Sequence, residues 1–280
     1  MKTWKHLNVV VVVIVVIVAL TACDGLFGKD DDDTDNGTPG LLFLLLNDHA
    51  GYSVDAGSVE SGDVVIPATY EGKPVTTIRY RAFWNKGITS ITIPSSIKSI
   101  DHEAFLNCTS LTSITIPSSV TSIGNYAFSH CTSLSGITLL NKTIGEGMFY
   151  DCRSLTSITI PAGITSISNY AFQGCTGLAS VTIPASVTSI DYGAFQYCTS
   201  LASVTLPAGV TSIGTQAFSG CTSVAGITIP IGVTTIDFQA FWGWTSSQTI
   251  KLEGVASQQA ADNKWGSGWR AGCYANIVYQ

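Results

Sequence analysis

The sequence of 280 residues is poor in charge. Lys, Arg, Asp and Glu together make up 11% of it, less than half of the roughly 25% typical of globular domains. It has four histidines, a net charge of −6 and no stripe of basic residues that could neutralise phosphates, which argues against nucleic acid as a partner. It also lacks a nucleophile elbow, a phosphate-binding loop and Cys-x₂₋₄-Cys metal ligands. We therefore expect no catalytic, cofactor or metal site, and no enzyme.

The N-terminus has the pattern of a targeting signal. A positively charged start precedes an unbroken apolar run from Val9 to Leu20, which suits a signal peptide and is shorter than the roughly 20 residues of a transmembrane helix. The run ends in Leu20-Thr21-Ala22-Cys23, which resembles the bacterial lipobox. We predict a lipoprotein signal peptide over 1–22 and a membrane anchor through lipid on Cys23. The alternative is a plain secretory signal with a chance cysteine.

Residues 23–40 predict an acidic tether that follows the lipidated cysteine. Acids are set among Gly, Thr, Asn and Pro, a composition that cannot bury a core and repels itself. The six acids are Asp24, Asp30, Asp31, Asp32, Asp33 and Asp35. A calcium-binding loop is the alternative, but Phe43 occupies the position at which such a loop needs its final bidentate Glu. In some Gram-negative bacteria an Asp at the position of Asp24 retains lipoproteins in the inner membrane, so the choice of membrane stays open.

From about Val64 to residue 252 the chain repeats itself with a period near 23 residues. Six cysteines are spaced 23, 21, 23, 23 and 23 residues apart, and eight phenylalanines follow nearly the same period. The cysteines are Cys108, Cys131, Cys152, Cys175, Cys198 and Cys221. The phenylalanines are Phe83, Phe105, Phe128, Phe149, Phe172, Phe195, Phe218 and Phe241. Such self-similarity predicts a solenoid, in which each coil buries its apolar side only against its neighbours.

The copy from Leu111 to Cys131 shows what each part of the repeat does. Ile114-Thr115-Ile116 alternates with period two, so it predicts a strand with both isoleucines inward and the threonine outward. The following proline ends the strand, and Val120 and Ile123 predict a short extended segment on an opposite wall. Asn125 to Phe128 predicts a short helical or 3₁₀ turn. The solenoid is therefore expected to be β-rich.

Both ends of the repeat differ from its middle, as the ends of a solenoid must. We predict an N-terminal cap over 41–63, the solenoid over 64–252 and a C-terminal cap over 253–280. The coil from Cys131 to Cys152 is two residues short and has Leu140 where proline is expected, so it predicts a local kink.

The ladder cysteines are interpreted as inert core thiols. Stacked coils would place neighbouring cysteines about 4.8 Å apart, wider than the roughly 3.8 Å between the Cβ atoms of a disulfide. Without Cys23 the count is seven, so at least one thiol stays unpaired.

Outward strand positions form two polar lanes that we call the Ser/Thr face. Its candidate binding residues are Ser90, Thr92, Ser113, Thr115, Thr138, Ser157, Thr159, Ser180, Thr182, Ser203, Thr205 and Thr228. One interpretation is β-propensity and solubility. The other is a broad uncharged surface for a protein or glycan. A lattice that binds ice is a third, weakened by gaps at Gly136 and Gly226.

Aromatic side chains outside the phenylalanine register are the second set of candidates. They flank the Ala-Phe pair of their repeats, and they could be exposed interface anchors or could pack on the next coil. They are Trp84, Tyr126, Tyr150, Tyr170, Tyr192 and Trp242.

The repeat unit Leu-x-x-Ile-x-Ile-Pro-x-x-Val-x-x-Ile-x-x-x-Ala-Phe-x-x-Cys resembles the leucine-rich repeat of the BspA-like family over about 64–252. The resemblance implies a leucine-rich-repeat solenoid and a cell-surface binding protein, with adhesion to host matrix or to other bacteria as the usual association. We accordingly expect a lipid-anchored adhesin on the bacterial outer membrane. The alternative is a structural envelope lipoprotein of the inner membrane that faces the periplasm.

Overall fold

A computed structural model describes residues 37–140 and 143–280. The signal peptide, Cys23 and nearly all of the predicted tether lie outside the described residues. The chain forms a β-solenoid of about ten turns with repeats about 23 residues apart and little helix, which confirms the predicted fold class. Among the described residues, no helix combines the length and apolar character that crossing a membrane requires.

Short strands supply almost all of the regular structure. The strands and helices, in chain order, are β1 (Leu42–Leu45), β2 (Tyr52–Asp55), β3 (Ser61–Val65), β4 (Thr69–Tyr70), β5 (Lys73–Ile78), β6 (Gly87–Thr92), β7 (Ser99–Ile100), β8 (Ser113–Ile116), β9 (Ser122–Ile123), β10 (Gly136–Leu139), β11 (Ser157–Thr159), β12 (Ser166–Ile167), β13 (Ser180–Thr182), β14 (Ser189–Ile190), β15 (Ser212–Ile213), β16 (Gly226–Ile229), β17 (Thr235–Ile236), β18 (Thr249–Leu252), the α-helix α1 (Gln258–Trp265), a 3₁₀ helix (Ser267–Arg270) and β19 (Asn276–Tyr279).

The strands build two walls that run the length of the solenoid. The first wall contains the sheets β3-β6-β8-β10, β11-β13 and β16-β18-β19, and the second contains β1-β2-β5-β7-β9 and β12-β14-β15-β17. Neighbouring coils pair in parallel and in register, so Ile137 lies beside Ile114 and Thr138 beside Thr115. Each outward residue therefore repeats one coil further on at the same height of the wall.

The core between the walls is a stack of identical side chains. The eight phenylalanines are fully buried, and successive rings lie parallel with centroids 5.0–5.9 Å apart and interplanar angles of 4–14°. Inward residues of the strands, such as Ile114 and Ile116, complete the core on either side of the stack. No coil could bury these side chains alone, so the stack of coils is the folding unit.

The turn that carries each phenylalanine is not helical, although a helical or 3₁₀ turn was predicted there. Tyr126 and His130 have φ of 57° and 58°, so right- and left-handed residues alternate. The N–H groups of Tyr126, Phe128 and His130 donate to carbonyls of the next coil at 2.7–3.0 Å. A helix would use these groups internally, whereas the alternating backbone directs every second N–H along the solenoid axis and adds a third ladder, the turn wall.

The ladder cysteines are free and buried, and each is a hydrogen-bond donor. Cys131 Sγ donates to the Phe105 carbonyl of the preceding coil at 3.2 Å, and the other five do the same with their own Phe partners at 3.0–3.2 Å. In the last coil Trp244 takes the position of the cysteine, and its Nε1 donates to the Phe218 carbonyl at 2.9 Å. The cysteine position of the repeat thus holds a small or planar side chain whose hydrogen-bond donor reaches one phenylalanine carbonyl.

The short coil interrupts the first wall, where a kink was predicted. No strand pairing joins β10 to β11, and we call this gap the ladder break. Ile137 and Leu139 are only partly buried there, unlike Ile114 and Ile116 one coil earlier, and Leu140 is exposed. The loss of two residues therefore splays the wall rather than removing the coil.

The two ends are built differently. At the N-terminal end β1 and β2 form an antiparallel hairpin, and β2 pairs with β5. A second hairpin follows, in which β4 pairs antiparallel with β5. At the C-terminal end α1 lies on the edge of the second wall, and β19 extends the first wall by one strand.

Candidate functional site

The first wall presents the Ser/Thr face to solvent. All seven of its threonines are exposed, as are Ser113, Ser157, Ser180 and Ser203, whereas Ser90 is partly buried. Strand pairing sets Thr115 beside Thr138 and Thr159 beside Thr182. The face is therefore a lattice of hydroxyl groups held by paired backbone.

Charge is confined to the two ends of this face. Its outward strand positions contain no charged residue from Ser90 to Thr228, while Asp63 lies at one end and Lys251 and Glu253 at the other. Asp63 Oδ1 accepts hydrogen bonds from the hydroxyls of Ser90 and Thr89, both at 2.7 Å. These two hydrogen bonds hold the pKa of Asp63 below its usual value, and the bond from Ser90 has the larger effect. A ligand on the middle of the face meets hydroxyls and backbone only.

A groove of about 550 Å³ lies on the Ser/Thr face where the wall is splayed. Its lining includes Ser113, Thr115, Gly136, Thr138 and Ser157, so it spans the ladder break. A Cβ added to Gly136 would meet only the Ser113 Cβ, at 3.8 Å, which leaves the backbone accessible. The groove offers hydroxyls, unpaired strand backbone and a partly exposed Ile137 as an apolar floor.

The sequence predicted the lanes but not the groove. The two signals that could have located it are the missing residues of the short coil and the glycine at position 136, which was counted only as a gap. A second, smaller groove of about 450 Å³ includes Ser203, Thr205 and Thr228.

The candidate aromatics lie on the turn wall, and the structure does not bring them together with the Ser/Thr face. Trp84, Trp242 and Tyr192 are exposed to 50%, 42% and 37%. Tyr126, Tyr150 and Tyr170 are partly buried.

The partly buried tyrosines pack along the solenoid axis. A Cβ added to Gly147 of the following coil would overlap the Tyr126 ring, and one added to Gly193 would lie 3.1 Å from the Tyr170 ring. The interpretation as packing against the next coil therefore describes Tyr126 and Tyr170, while the two tryptophans and Tyr192 are the accessible members of the set.

One exposed cluster on the turn wall was not predicted. The Arg81 guanidinium lies over the Tyr80 and Trp84 rings, at 5.0 and 5.3 Å from their centroids. Arg81 Nε also donates to Glu103 Oε2 at 2.5 Å. Tyr80 and Trp84 are half exposed, so the cluster is an aromatic patch with a fixed cation.

No metal centre is apparent in the described ranges, since no three His, Cys, Asp or Glu side chains converge within them. Burial raises the pKa of five ladder thiols, to about 12 for Cys221. Neutral thiols are poor nucleophiles and poor metal ligands. The ladder thiols thus have the chemistry of core residues.

The repeat pattern matches a known family over most of the solenoid. The BspA type leucine-rich repeat region matches residues 76–198 and 142–260, in six copies. The chain belongs to this family. Leucine-rich-repeat solenoids are typically interaction scaffolds without catalysis, so membership supports a repeat protein with a binding role. No curated protein matches the chain.

Solved bacterial leucine-rich-repeat proteins share the fold. A leucine-rich repeat protein from Eubacterium ventriosum is 29% identical with a TM-score of 0.53, and the match covers 60% of this chain and 44% of that one. This chain thus spans less than half the length of that relative. A leucine-rich cell surface protein from Faecalibacterium prausnitzii is 23% identical with a TM-score of 0.49, over 87% of this chain and 94% of that one.

Proposed function

We propose that this chain is a lipid-anchored bacterial surface protein that binds protein or glycan macromolecules of a host matrix or of other bacteria through the Ser/Thr face. The anchor is Cys23, and residues 23–40 hold the solenoid away from the membrane. The single observation that carries the binding role is the groove at the ladder break, which lies on a wall whose outward strand positions are uncharged.

The chemistry of the groove defines the kind of partner. Hydroxyls both donate and accept hydrogen bonds, and unpaired strand backbone does the same. The outward strand positions from Ser90 to Thr228 contain no charged residue, which favours partners whose surfaces are neutral and rich in hydroxyl or amide groups. Because parallel pairing holds the backbone of β8 and β10 in register, little backbone entropy is lost on that side of the groove when a partner binds.

Two substitutions in the groove test the binding role. Thr115→Lys and Thr138→Lys place charge where the wall is neutral, and we expect each to weaken binding to the cognate member of a panel of immobilised matrix proteins and bacterial-surface glycans by at least about 10-fold. Thr188→Lys, at an exposed threonine of the second wall, is the matched control. Failure of the unmodified protein to bind any member, or an equal loss with Thr188→Lys, contradicts a site on this face.

Display on the cell is tested by protease treatment of intact cells, with an antibody to the repeats and a periplasmic protein as control. We expect the solenoid to be digested while the control survives, and Cys23→Ser to release the protein from the membrane fraction. Digestion only after the envelope is opened would contradict surface display. It would favour the periplasm-facing envelope lipoprotein.

A further inference from the structure

The N-terminal hairpin leaves an apolar strand partly uncovered, although Leu41 and Phe43 pack against the core. Leu41 to Leu46 is a run of six consecutive leucines and phenylalanine, yet none of the six residues is fully buried, and Leu42 and Leu45 are 49% and 41% exposed. A strand that merely covered the first coil would bury every second side chain. The run is therefore more apolar than its contacts within the chain require.

The outer edge of β1 also has unpaired backbone. Leu46 N–H donates to the Gly51 carbonyl, and residues 42 and 44 occupy equivalent positions in the ladder with β2. The N–H and C=O groups of Phe43 and Leu45 must then point away from the hairpin. No strand among the described residues pairs with that edge.

Two other edges of the solenoid are covered. Thr38 exchanges hydrogen bonds with Val65 at 2.6 and 2.9 Å and covers the edge of β3, while α1 covers β17 through Lys264 and Trp265. Natural proteins also block open edges with charge, proline or a bulge. The edge of β1 has none of these, because no charged residue or proline lies from Gly40 to Asn47.

We propose that β1 is a dimerisation strand, which pairs antiparallel with β1 of a second copy of this chain about a two-fold axis through Leu44. The outward groups of Phe43 in one copy meet those of Leu45 in the other, so one strand satisfies both partners. Such an edge is its own complement, as a two-fold interface requires. The uncharged strand also lets two chains of net charge −6 meet without like charges in contact.

A lipid surface is a poorer occupant of this strand. Lipid would cover the leucines but would leave the outward peptide groups without hydrogen-bond partners, at a cost of several kcal/mol for each group. A second strand both covers the leucine side chains and forms hydrogen bonds with the outward peptide groups of β1. The dimer would join two N-terminal caps and would therefore carry two Ser/Thr faces.

Cysteine cross-linking tests the register of the pair. In the full chain with Cys23→Ser and Cys273→Ser, Leu44→Cys places two thiols opposite each other, with Cβ atoms about 5 Å apart. We expect mild oxidation to give an intermolecular disulfide for most of the protein. Leu42→Cys is the matched control on the same strand face, because the two-fold places its copies about 14 Å apart. Equal cross-linking of the two variants, or none at Leu44, overturns the proposal.

The association itself is tested by analytical ultracentrifugation of the same Cys23→Ser, Cys273→Ser chain. We expect a dimer, and we expect Leu45→Lys to raise its dissociation constant at least about 100-fold through repulsion and edge blocking. Leu140→Lys, at an exposed leucine of the short coil, is the control and should leave the dimer intact. A monomer, a head-to-tail polymer through β19, or a dimer insensitive to Leu45→Lys contradicts the two-fold pairing. If the chain is instead a monomer that floats with vesicles of phosphatidylethanolamine and phosphatidylglycerol, and Leu45→Lys abolishes that flotation, lipid is the occupant of the strand.

Discussion

The cysteine register shows how a single position of the repeat is selected. Each thiol is buried on all sides and donates to a phenylalanine carbonyl, and Trp244 reproduces the same bond with an indole N–H. Burial is what raises the pKa of these thiols, since the thiolate would have to leave water. This position of the repeat therefore requires an apolar side chain with one hydrogen-bond donor that reaches the phenylalanine carbonyl.

The raised thiol pKa values make stability depend on pH in a definite direction. The folded state keeps these protons above pH about 8.5 while the unfolded state loses them, so the unfolding free energy falls as pH rises. Removing one thiol with Cys198→Ala should flatten that fall by about 1.4 kcal/mol per pH unit, measured by urea unfolding between pH about 9.5 and about 11. Parallel pH profiles for the two proteins would contradict this assignment.

The packing of Tyr126 on Gly147 predicts a coupled pair. Gly147→Ala adds a Cβ where φ is 56° and the Tyr126 ring already lies, so it should destabilise the protein by about 2 kcal/mol. In a Tyr126→Ala background the same change should cost only about 1 kcal/mol, because the ring is gone and the backbone strain remains. Chemical denaturation of the four proteins of this double-mutant cycle measures the difference, and additivity would disprove the contact.

At the scale of the element, the solenoid uses extended backbone and alternating turns in place of helices. The one α-helix in the described part of the chain, α1, lies at the C-terminal end and covers the edge of the second wall. Lys264 Nζ donates to the Ile231 carbonyl and Trp265 Nε1 to the Val233 carbonyl, at 3.2 and 3.3 Å. The Trp265 ring also meets Trp269 edge to face at 5.7 Å. The helix thus satisfies carbonyls that another coil would otherwise bind.

Trp265→Ala should expose the end of the second wall. We expect a loss of about 2 kcal/mol in unfolding free energy and faster amide exchange in β17, because the indole removes both a hydrogen bond and apolar cover. Asn263→Ala, at an exposed position of the same helix, should change stability by less than about 0.5 kcal/mol. Unchanged exchange in β17 would show that α1 is not the cap.

At the scale of the whole molecule, the ladder break divides the first wall. Stability in a repeat array comes from contacts between neighbouring coils, so a missing set of strand bonds weakens cooperativity at that point. The phenylalanine stack crosses the gap, since Phe128 and Phe149 are 5.9 Å apart and parallel. The two halves thus stay joined at the ladder break by core packing and by the turn wall rather than by the strands of the first wall.

Amide exchange should reveal the break. We expect the backbone of β10 and β11 to exchange at least about 10-fold faster than that of β8, which pairs on both sides. Hydrogen exchange with mass spectrometry of peptides spanning these strands makes the comparison within one protein. Equal protection of β8, β10 and β11 would mean that the walls are continuous in solution.

Much of this architecture followed from period alone. The inward isoleucines, the phenylalanine stack and the outward threonines were predicted because a strict repeat places each residue type at one height of every coil. The Ser/Thr face was predicted for the same reason. The turn conformation was not, since Asn125 to Phe128 suits a helix locally and only the neighbouring coil accepts its N–H groups.

The sequence by itself determined the solenoid, its caps and the composition of its surfaces, because these depend on which side chains recur at fixed spacing. Tertiary structure alone decided where the wall opens, which aromatics remain accessible and which strand edge stays unpaired. Those features depend on the hydrogen bonds that each coil makes with the next. A missing pair of residues at the short coil, or an unprotected strand at β1, has its effect only when the neighbouring backbone is in place.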